Sequence, residues 1–153
     1  MRVLALLSVF VSSIASAQVI GSNPDDAIAV YVNGAAFTAI DISGGEPFDP
    51  IRTEGYRFLT LSFDYTWDSA TAVTMRCKHG EESNDVNQEI HALEYTGATA
   101  ASALHVWSNA VSGNEKWSWV VGLNGYRYVS CLLTATGGSS SDTITVTAKA
   151  GSH

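Results

Sequence analysis

The densest cluster of side chains that could do chemistry is the run His79-Gly80-Glu81-Glu82, followed closely by Asp85. Carboxylate oxygens are the ligands that Ca²⁺ prefers, so a calcium loop is one reading of this run. The run lacks the alternating Asp/Asn pattern and the terminal Glu of an EF-hand loop. We therefore interpret it as a solvated hairpin loop.

The sequence carries no catalytic or zinc-binding signature. It contains no GxSxG motif, no Gly-rich phosphate loop and no HxH or HExxH pair, so zinc would need ligands from distant strands. Two acidic residues on facing strands would suffice for a glycosidase pair, but nothing distinguishes one candidate from another. The histidines and acidic candidates are His79, His91, His105, His153, Asp64, Asp68, Glu89 and Glu94. We expect a non-enzymatic protein with no metal and no cofactor.

Aromatic residues are the other side chains that could bind a ligand. Exposed Trp and Tyr rings form flat platforms for the apolar face of a sugar, and they also mark protein contact surfaces. Trp117 and Trp119 share one strand face, and Tyr126 and Tyr128 share a face of the next strand. If the two strands pair as a hairpin, one sheet face holds a single aromatic cluster. These four residues are the candidate ligand- or partner-binding residues. The alternative is that they form part of the core.

Cys77 and Cys131 are the two cysteines of the chain, 54 residues apart, and each lies inside a strand-like run. Their spacing fits no metal site, so we predict one disulfide, either between sheets or between neighbouring strands. Two separate buried thiols are the alternative, because a sequence cannot show that two Cβ atoms meet. With Cys131 in the core, alternation along its strand turns Tyr126 and Tyr128 outward.

The N-terminus reads as a secretory signal peptide over residues 1–17. Arg2 precedes the apolar run Val3–Val11, and Ala15-Ser16-Ala17 is a small-x-small cleavage site that would leave Gln18 first. The run falls short of the roughly 20 apolar residues that span a bilayer, although a retained anchor is the alternative. We therefore predict a secreted, extracellular location, with no stable membrane span after cleavage.

Composition and charge limit the remaining possibilities. A chain of 153 residues, 46% of them hydrophobic, fits one domain over residues 18–153. The net charge is −7, and loss of Arg2 with the signal makes it −8. This sign opposes binding to phosphates, so we expect no nucleic-acid partner.

Period-two alternation predicts an all-β protein. In Phe58–Trp67 large apolar residues alternate with Thr, Ser and Asp, and Thr143–Ala148 repeats the pattern. Ala98–Val111 favours strand or irregular structure over a short helix, and Ser43–Gly55, rich in Pro and Gly, predicts a long loop. The other strand-like runs are Thr71–Lys78, Glu89–Tyr95, Lys116–Leu123 and Tyr126–Thr136.

Two Asn-Gly pairs predict hairpins, because this dipeptide suits a type I′ turn. Asn124-Gly125 would pair Trp117–Leu123 with Tyr126–Leu133, and Asn33-Gly34 would pair Ala27–Val32 with Phe37–Ile42. The total of eight or nine short strands predicts an antiparallel β-sandwich or a jelly-roll-like fold.

Five runs have a common pattern of short alternating strands: Leu61–Tyr65, Ala72–Cys77, Trp117–Trp119, Tyr126–Cys131 and Asp142–Thr147. In this pattern the chain from Phe58 onward resembles small β-sandwich proteins encoded by bacteriophages. That resemblance implies a self-associating virion surface or decoration component whose partners are other virion or extracellular assembly proteins. A secretory signal departs from tailed-phage virion proteins and suits a membrane-containing or extruded virus, or a secreted bacterial protein. The alternative function is a secreted carbohydrate-binding module that holds polysaccharide on Tyr and Trp.

Overall fold

The computed structural model describes residues 27–96 and 99–151, and this part of the chain is all β. It holds no helix with the length and hydropathy of a membrane span. The predicted signal peptide lies outside the described residues. The longer strands are β7 (Phe58–Thr66), β8 (Ala72–Gly80), β10 (His91–Thr96), β11 (Thr99–Leu104), β12 (Val106–Ala110), β13 (Glu115–Gly122), β14 (Tyr128–Thr136) and β15 (Thr143–Gly151). The short strands are β1 (Ala27–Ala29), β2 (Tyr31–Val32), β3 (Ala35–Ala36), β4 (Ile40–Asp41), β5 (Glu46–Pro47), β6 (Ile51–Arg52) and β9 (Gln88–Glu89).

Two larger antiparallel sheets share one core, as a β-sandwich requires, and the β2–β3 and β10–β11 hairpins form two further small sheets in the described part of the chain. Sheet I has the strand order β1-β15-β7-β13, and β4 also pairs with β15. Sheet II has the strand order β12-β8-β14-β5, and in it β6 also pairs with β14 and β9 with β8. The chain passes between the two larger sheets at the β4–β5, β6–β7, β7–β8, β12–β13, β13–β14 and β14–β15 connections. Short connections of this kind place β7 over β8 and β15 over β14. The predicted antiparallel all-β fold is confirmed.

Alternation in β7 is confirmed as far as Tyr65, whereas Trp67, which the pattern predicts on the same face, lies beyond the strand and is exposed. Leu59, Leu61, Phe63 and Tyr65 are each at most 2% exposed and join the core, whereas the residues between them face solvent. Sheet II contributes the matching inner residues from β8 and β14, in the same period of two. The core therefore fills the space between the sheets with residues from both inner faces.

The predicted hairpin between Trp117–Leu123 and Tyr126–Leu133 is wrong. The turn itself has the expected left-handed geometry, with φ 45° at Asn124 and 87° at Gly125. However, β13 pairs with β7 in sheet I and β14 pairs with β8 in sheet II. The backbone on either side of the turn bonds to other segments: the Leu123 N–H donates to Arg57 O, and the Thr53 N–H donates to Arg127 O. A two-residue turn reverses the chain, but it does not choose the sheet.

The Asn33-Gly34 turn does close a hairpin, a shorter one than predicted. It joins β2 to β3, and the Asp49 carboxylate accepts the N–H groups of Asn33 and Gly34 at 3.0 and 2.7 Å. The predicted second strand, Phe37–Ile42, instead runs along β15, where β4 pairs with Thr143 and Ile144.

The predicted loop Ser43–Gly55 is partly strand. It contains β5 and β6, both hydrogen-bonded to β14, and it buries Phe48 and Ile51 in the core. Two-residue strands are too short to show a period of two, so no sequence pattern indicated them. The ambiguous stretch Ala98–Val111 contains β11 and β12, which agrees with the preference for strand over helix.

The predicted disulfide is present and lies within sheet II. Cys77 on β8 is the register partner of Cys131 on β14, with Cα atoms 4.0 Å apart and both residues buried. Their carbonyls point away from each other, since Cys77 O accepts from Ile90 and Cys131 O accepts from Phe48. This is the arrangement of a non-hydrogen-bonded pair, where side chains of antiparallel strands come closest. The bridge is therefore cross-strand, and both sulfurs face the core.

We expect the Cys77→Ala/Cys131→Ala variant to have a free energy of unfolding about 3 to 4 kcal/mol below that of the oxidised protein, because the unfolded chain gains loop entropy. Urea denaturation with and without reductant measures it. Reductant should bring the native protein down to the level of the variant and leave the variant unchanged. Equal stability of oxidised and reduced native protein would contradict a structural bridge.

Candidate functional site

Trp117 and Trp119 lie on β13 with half-buried rings that pack against the core. The Phe63 ring centroid is 5.4 Å from that of Trp117 and 4.8 Å from that of Trp119, and the two indoles are 5.6 Å apart. Such pairs of rings stabilise a core beyond the area that they bury. Of the two interpretations that the sequence left open, the core is the one that fits this tryptophan pair.

Tryptophans close one side of the sandwich. Trp107 on β12 packs half-buried against the same core, with the His105 ring at 4.0 Å. β12 and β13 are consecutive strands at the edges of sheets II and I, so their tryptophans border the same side of the molecule. The Nε1 atom of Trp117 is buried without a hydrogen-bond acceptor among the described residues.

The two tyrosines lie at sheet II, away from the tryptophan pair. Tyr128 begins β14 and is half-buried opposite Gly80 and Arg52. Tyr126 precedes the strand, packs partly against the core and stacks on His79, with ring centroids 3.7 Å apart and planes 10° apart. The alternation that predicts two outward rings applies only within β14, so it does not reach Tyr126. The predicted single cluster of Trp117, Trp119, Tyr126 and Tyr128 is wrong, because the hairpin that would have joined them does not form.

His79 is a neutral partner for the Tyr126 ring. Burial lowers the pKa of His79, against a smaller opposing effect of the Glu81 carboxylate. A neutral imidazole stacks on an aromatic ring without the cost of burying a charge. We therefore assign this contact to the packing of the sandwich.

The outer face of sheet II carries a row of side chains that no sequence motif marks. Val106, Arg76, Leu132 and Pro47 are register partners on four neighbouring strands, and all four are exposed. Val106 and Leu132 are 39% and 41% exposed, and they flank Arg76 on its two sides. We call these four residues the arginine row. The sequence did contain one indication of an exposed apolar residue here. Leu132 and Leu133 are adjacent in an alternating strand, so one of the two leucines must face solvent.

The guanidinium of Arg76 is available to a partner. Lys78 on the same face pairs with Glu89 at 3.4 Å, whereas Arg76 makes no ion pair with any described residue. A depression of about 350 Å³ lies beside the row and is lined by Pro47, Arg76, Lys78, Val86, Glu89, Ser130 and Leu132. A planar guanidinium binds carboxylates through two parallel hydrogen bonds. The surface suits a carboxylate that lies next to apolar groups.

Comparison with known proteins adds no relative. The chain matches no protein-family model, and no curated protein or solved structure is significantly similar to it. Its function must therefore be inferred from the chemistry of the chain itself.

The acidic run after β8 remains a loop. Glu81, Glu82 and Asp85 are exposed, and the Asp85 carboxylate accepts from the side-chain amide of Asn87 at 2.6 Å. Within residues 27–96 and 99–151, no three His, Cys, Asp or Glu residues are grouped so as to hold a metal ion.

Asp142 is a fully buried carboxylate that several donors surround. It accepts the Tyr65 hydroxyl from β7 and the backbone N–H groups of Asp68, Ser69 and Ser139. Burial by itself raises the pKa of Asp142, but the hydrogen bonds from Tyr65 and the three backbone donors outweigh burial and hold the pKa well below its usual value. The cluster joins the β7–β8 connection to the β14–β15 connection, and we assign it a structural role.

We expect Asp142→Asn to lower the free energy of unfolding at neutral pH by about 2 to 3 kcal/mol, since it removes charge-assisted hydrogen bonds. A carboxyl whose pKa falls on folding stabilises the protein above its ordinary pKa of 3.8, and this contribution is lost as the pH falls below it. The difference in the free energy of unfolding between the native protein and Asp142→Asn should therefore be smaller at about pH 2 than at neutral pH. Urea denaturation at both pH values measures it.

Asp68→Asn is the matched control, because it makes the same change at an exposed carboxylate of the adjoining β7–β8 connection, where an amide oxygen can still accept the Ser139 hydroxyl. It should move the denaturation midpoint little at either pH. A stability difference for Asp142→Asn that is equal at neutral and acid pH would rule out an ionised structural carboxylate.

Proposed function

We propose that this chain is a non-enzymatic structural and interaction protein, a surface or decoration component of a virion or of a similar extracellular assembly. The observation that carries the proposal is the arginine row on the outer face of sheet II. Its partners would be other proteins of that assembly, which bind through an acidic group set among apolar side chains.

The composition of the row is that of a protein contact surface. Arginine and large apolar side chains are enriched at energetically important interface positions, and grouped exposed apolar residues are uncommon on free monomers. Four neighbouring strands about 4.8 Å apart give the row a length of about 14 Å, enough for a flat partner surface to cover. Burying Val106 and Leu132 would supply hydrophobic energy, while Arg76 would select a partner that carries a carboxylate.

Two further features support an extracellular setting. A buried structural disulfide suits an oxidising compartment, and the first 17 residues have the composition of a secretory signal. The resemblance to phage β-sandwich proteins favours the virion among extracellular assemblies. The net charge of −7 disfavours contact with nucleic acid in that assembly.

The proposal predicts that the arginine row is needed for incorporation. Arg76→Ala and Leu132→Ser, each made in the native producer, should lower the amount of this chain that co-sediments with purified particles by about tenfold or more, as expected from loss of interface residues worth at least about 1.4 kcal/mol each. Quantitative mass spectrometry of the particle and soluble fractions measures the partition.

Lys149→Ala is the matched control, since it removes an exposed cation from the outer face of sheet I. It should leave incorporation unchanged. Normal incorporation of both row variants would reject the arginine row as the contact surface. Absence of the native chain from any particle or assembly fraction would reject the proposed function itself.

A second candidate function, carbohydrate binding, rests on Trp67. Its side chain is 38% exposed and held in place, because its indole N–H donates to Ala70 O and its backbone N–H donates to Asn114 Oδ1, both at 2.8 Å. A fixed exposed indole is a preformed platform for a sugar ring. This residue is a better candidate than the half-buried tryptophans of β13, which pack against the core.

If carbohydrate binding is the function, titration with soluble polysaccharide should shift the intrinsic tryptophan fluorescence of the native protein and of Trp119→Phe, but not that of Trp67→Ala. The shift is expected because stacking removes the Trp67 indole from water. An unchanged spectrum of the native protein at saturating polysaccharide would exclude this candidate and leave the assembly function in place.

A further inference from the structure

The sheet edges of this sandwich differ in how well they are protected. A free edge strand presents unpaired N–H and C=O groups that can pair with another chain, so proteins shorten, bend or interrupt such strands. Three edges show these devices. On one side of sheet II the edge strands β5 and β6 have two residues each, and β5 includes Pro47; on its other side β9 and β12 are separated by the β10–β11 hairpin. On one side of sheet I the edge strands β1 and β4 have three and two residues.

The fourth edge, β13, has no such protection. It runs for eight residues without a proline, and in the described part of the chain β7 is its one strand partner. Its single cation, Lys116, is held on the sheet surface by Asp64 at 2.6 Å. Val120 on its outer side is 56% exposed, the highest value among the large exposed apolar residues described.

The hydrogen bonding to β7 fixes which groups of β13 point away from the sandwich. The Leu123 N–H donates to Arg57 O and continues the β13–β7 register, so the odd-numbered residues direct their backbone groups toward β7. In an antiparallel ladder the alternate residues point the other way. The free N–H and C=O groups therefore belong to Lys116, Ser118, Val120 and Gly122.

We infer that β13 is the self-association edge of this protein and pairs antiparallel with β13 of a second copy. The inference rests on the proposed assembly function, but it uses a surface separate from the arginine row. Pairing would extend sheet I across a two-fold axis, satisfy the free backbone groups and cover Val120.

A second copy is the occupant that the edge fits. Two identical antiparallel strands related by a two-fold axis match donors to acceptors, because each presents its free groups on alternate residues. The strand carries one acidic and one basic residue, Glu115 and Lys116. The edge is therefore neutral in a protein whose net charge of −7 would otherwise keep copies apart.

The test is sedimentation velocity of the oxidised mature chain over a range of concentrations. We expect a dimer whose dissociation constant rises about 30-fold in Val120→Pro, since symmetry removes one outward donor from each copy at about 1 kcal/mol per hydrogen bond. Proline is compatible with an edge position whose N–H faces solvent. Val120→Lys, which keeps the backbone donor, should weaken the dimer by placing a charge at the edge.

Leu132→Lys is the matched control, because it places the same charge at an exposed apolar residue of sheet II. It should leave the dimer intact. In the native dimer, hydrogen exchange at the amides of Lys116, Ser118, Val120 and Gly122 should slow as concentration rises. If circular dichroism shows that Val120→Pro is unfolded, the dissociation constant of Val120→Lys and the hydrogen exchange of the native dimer test the pairing through β13 instead.

A native chain that stays monomeric at every concentration would overturn the inference. So would a dimer that Leu132→Lys dissociates and the Val120 variants do not. Either result leaves the proposed function to be judged by particle incorporation, which depends on Arg76 and Leu132 and not on β13.

Discussion

The carboxylate of Asp142 is the constraint on which the arrangement of the two sheets depends most directly. The β7–β8 and β14–β15 connections each carry the chain from one sheet to the other, and this single buried group accepts donors from both. Tyr65 brings the end of β7 to the same point. A buried charge is tolerated only when it is fully hydrogen-bonded, so these donors must stay together. The cluster therefore holds the two connections together, and with their short length it keeps β7 over β8 and β15 over β14.

The disulfide joins two strands of one sheet, whereas the Asp142 cluster joins the connections between the two sheets. Cys77 and Cys131 fix the register of β8 and β14, the two central strands of sheet II. That register is also what places Arg76 beside Leu132 on the opposite face of the same strands, since alternate residues point to opposite sides. The bridge buried in the core thus supports the geometry of the contact surface outside it.

The two proposed surfaces are compatible in one assembly. The arginine row lies on the broad face of sheet II, and the free backbone groups of β13 lie along an edge of sheet I. A two-fold dimer through β13 would leave both arginine rows open and would present them in pairs. Two weak contacts made together bind far more tightly than either alone. A small protein that decorates a repeating surface gains from such an arrangement.

The sequence by itself determined the all-β class, the inward residues of β7 and the Asn-Gly turns, because these depend on local period and turn chemistry. Two cysteines allow one pairing, but only the tertiary structure shows that Cys77 and Cys131 meet. It did not determine which sheet each strand joins. Asn124-Gly125 has the geometry of a hairpin turn, yet β13 and β14 join different sheets, and this separated Trp117 and Trp119 from Tyr126 and Tyr128. Only the tertiary structure placed Val106, Arg76, Leu132 and Pro47 in one row, since strand pairing reflects packing of the whole core, which no local pattern encodes.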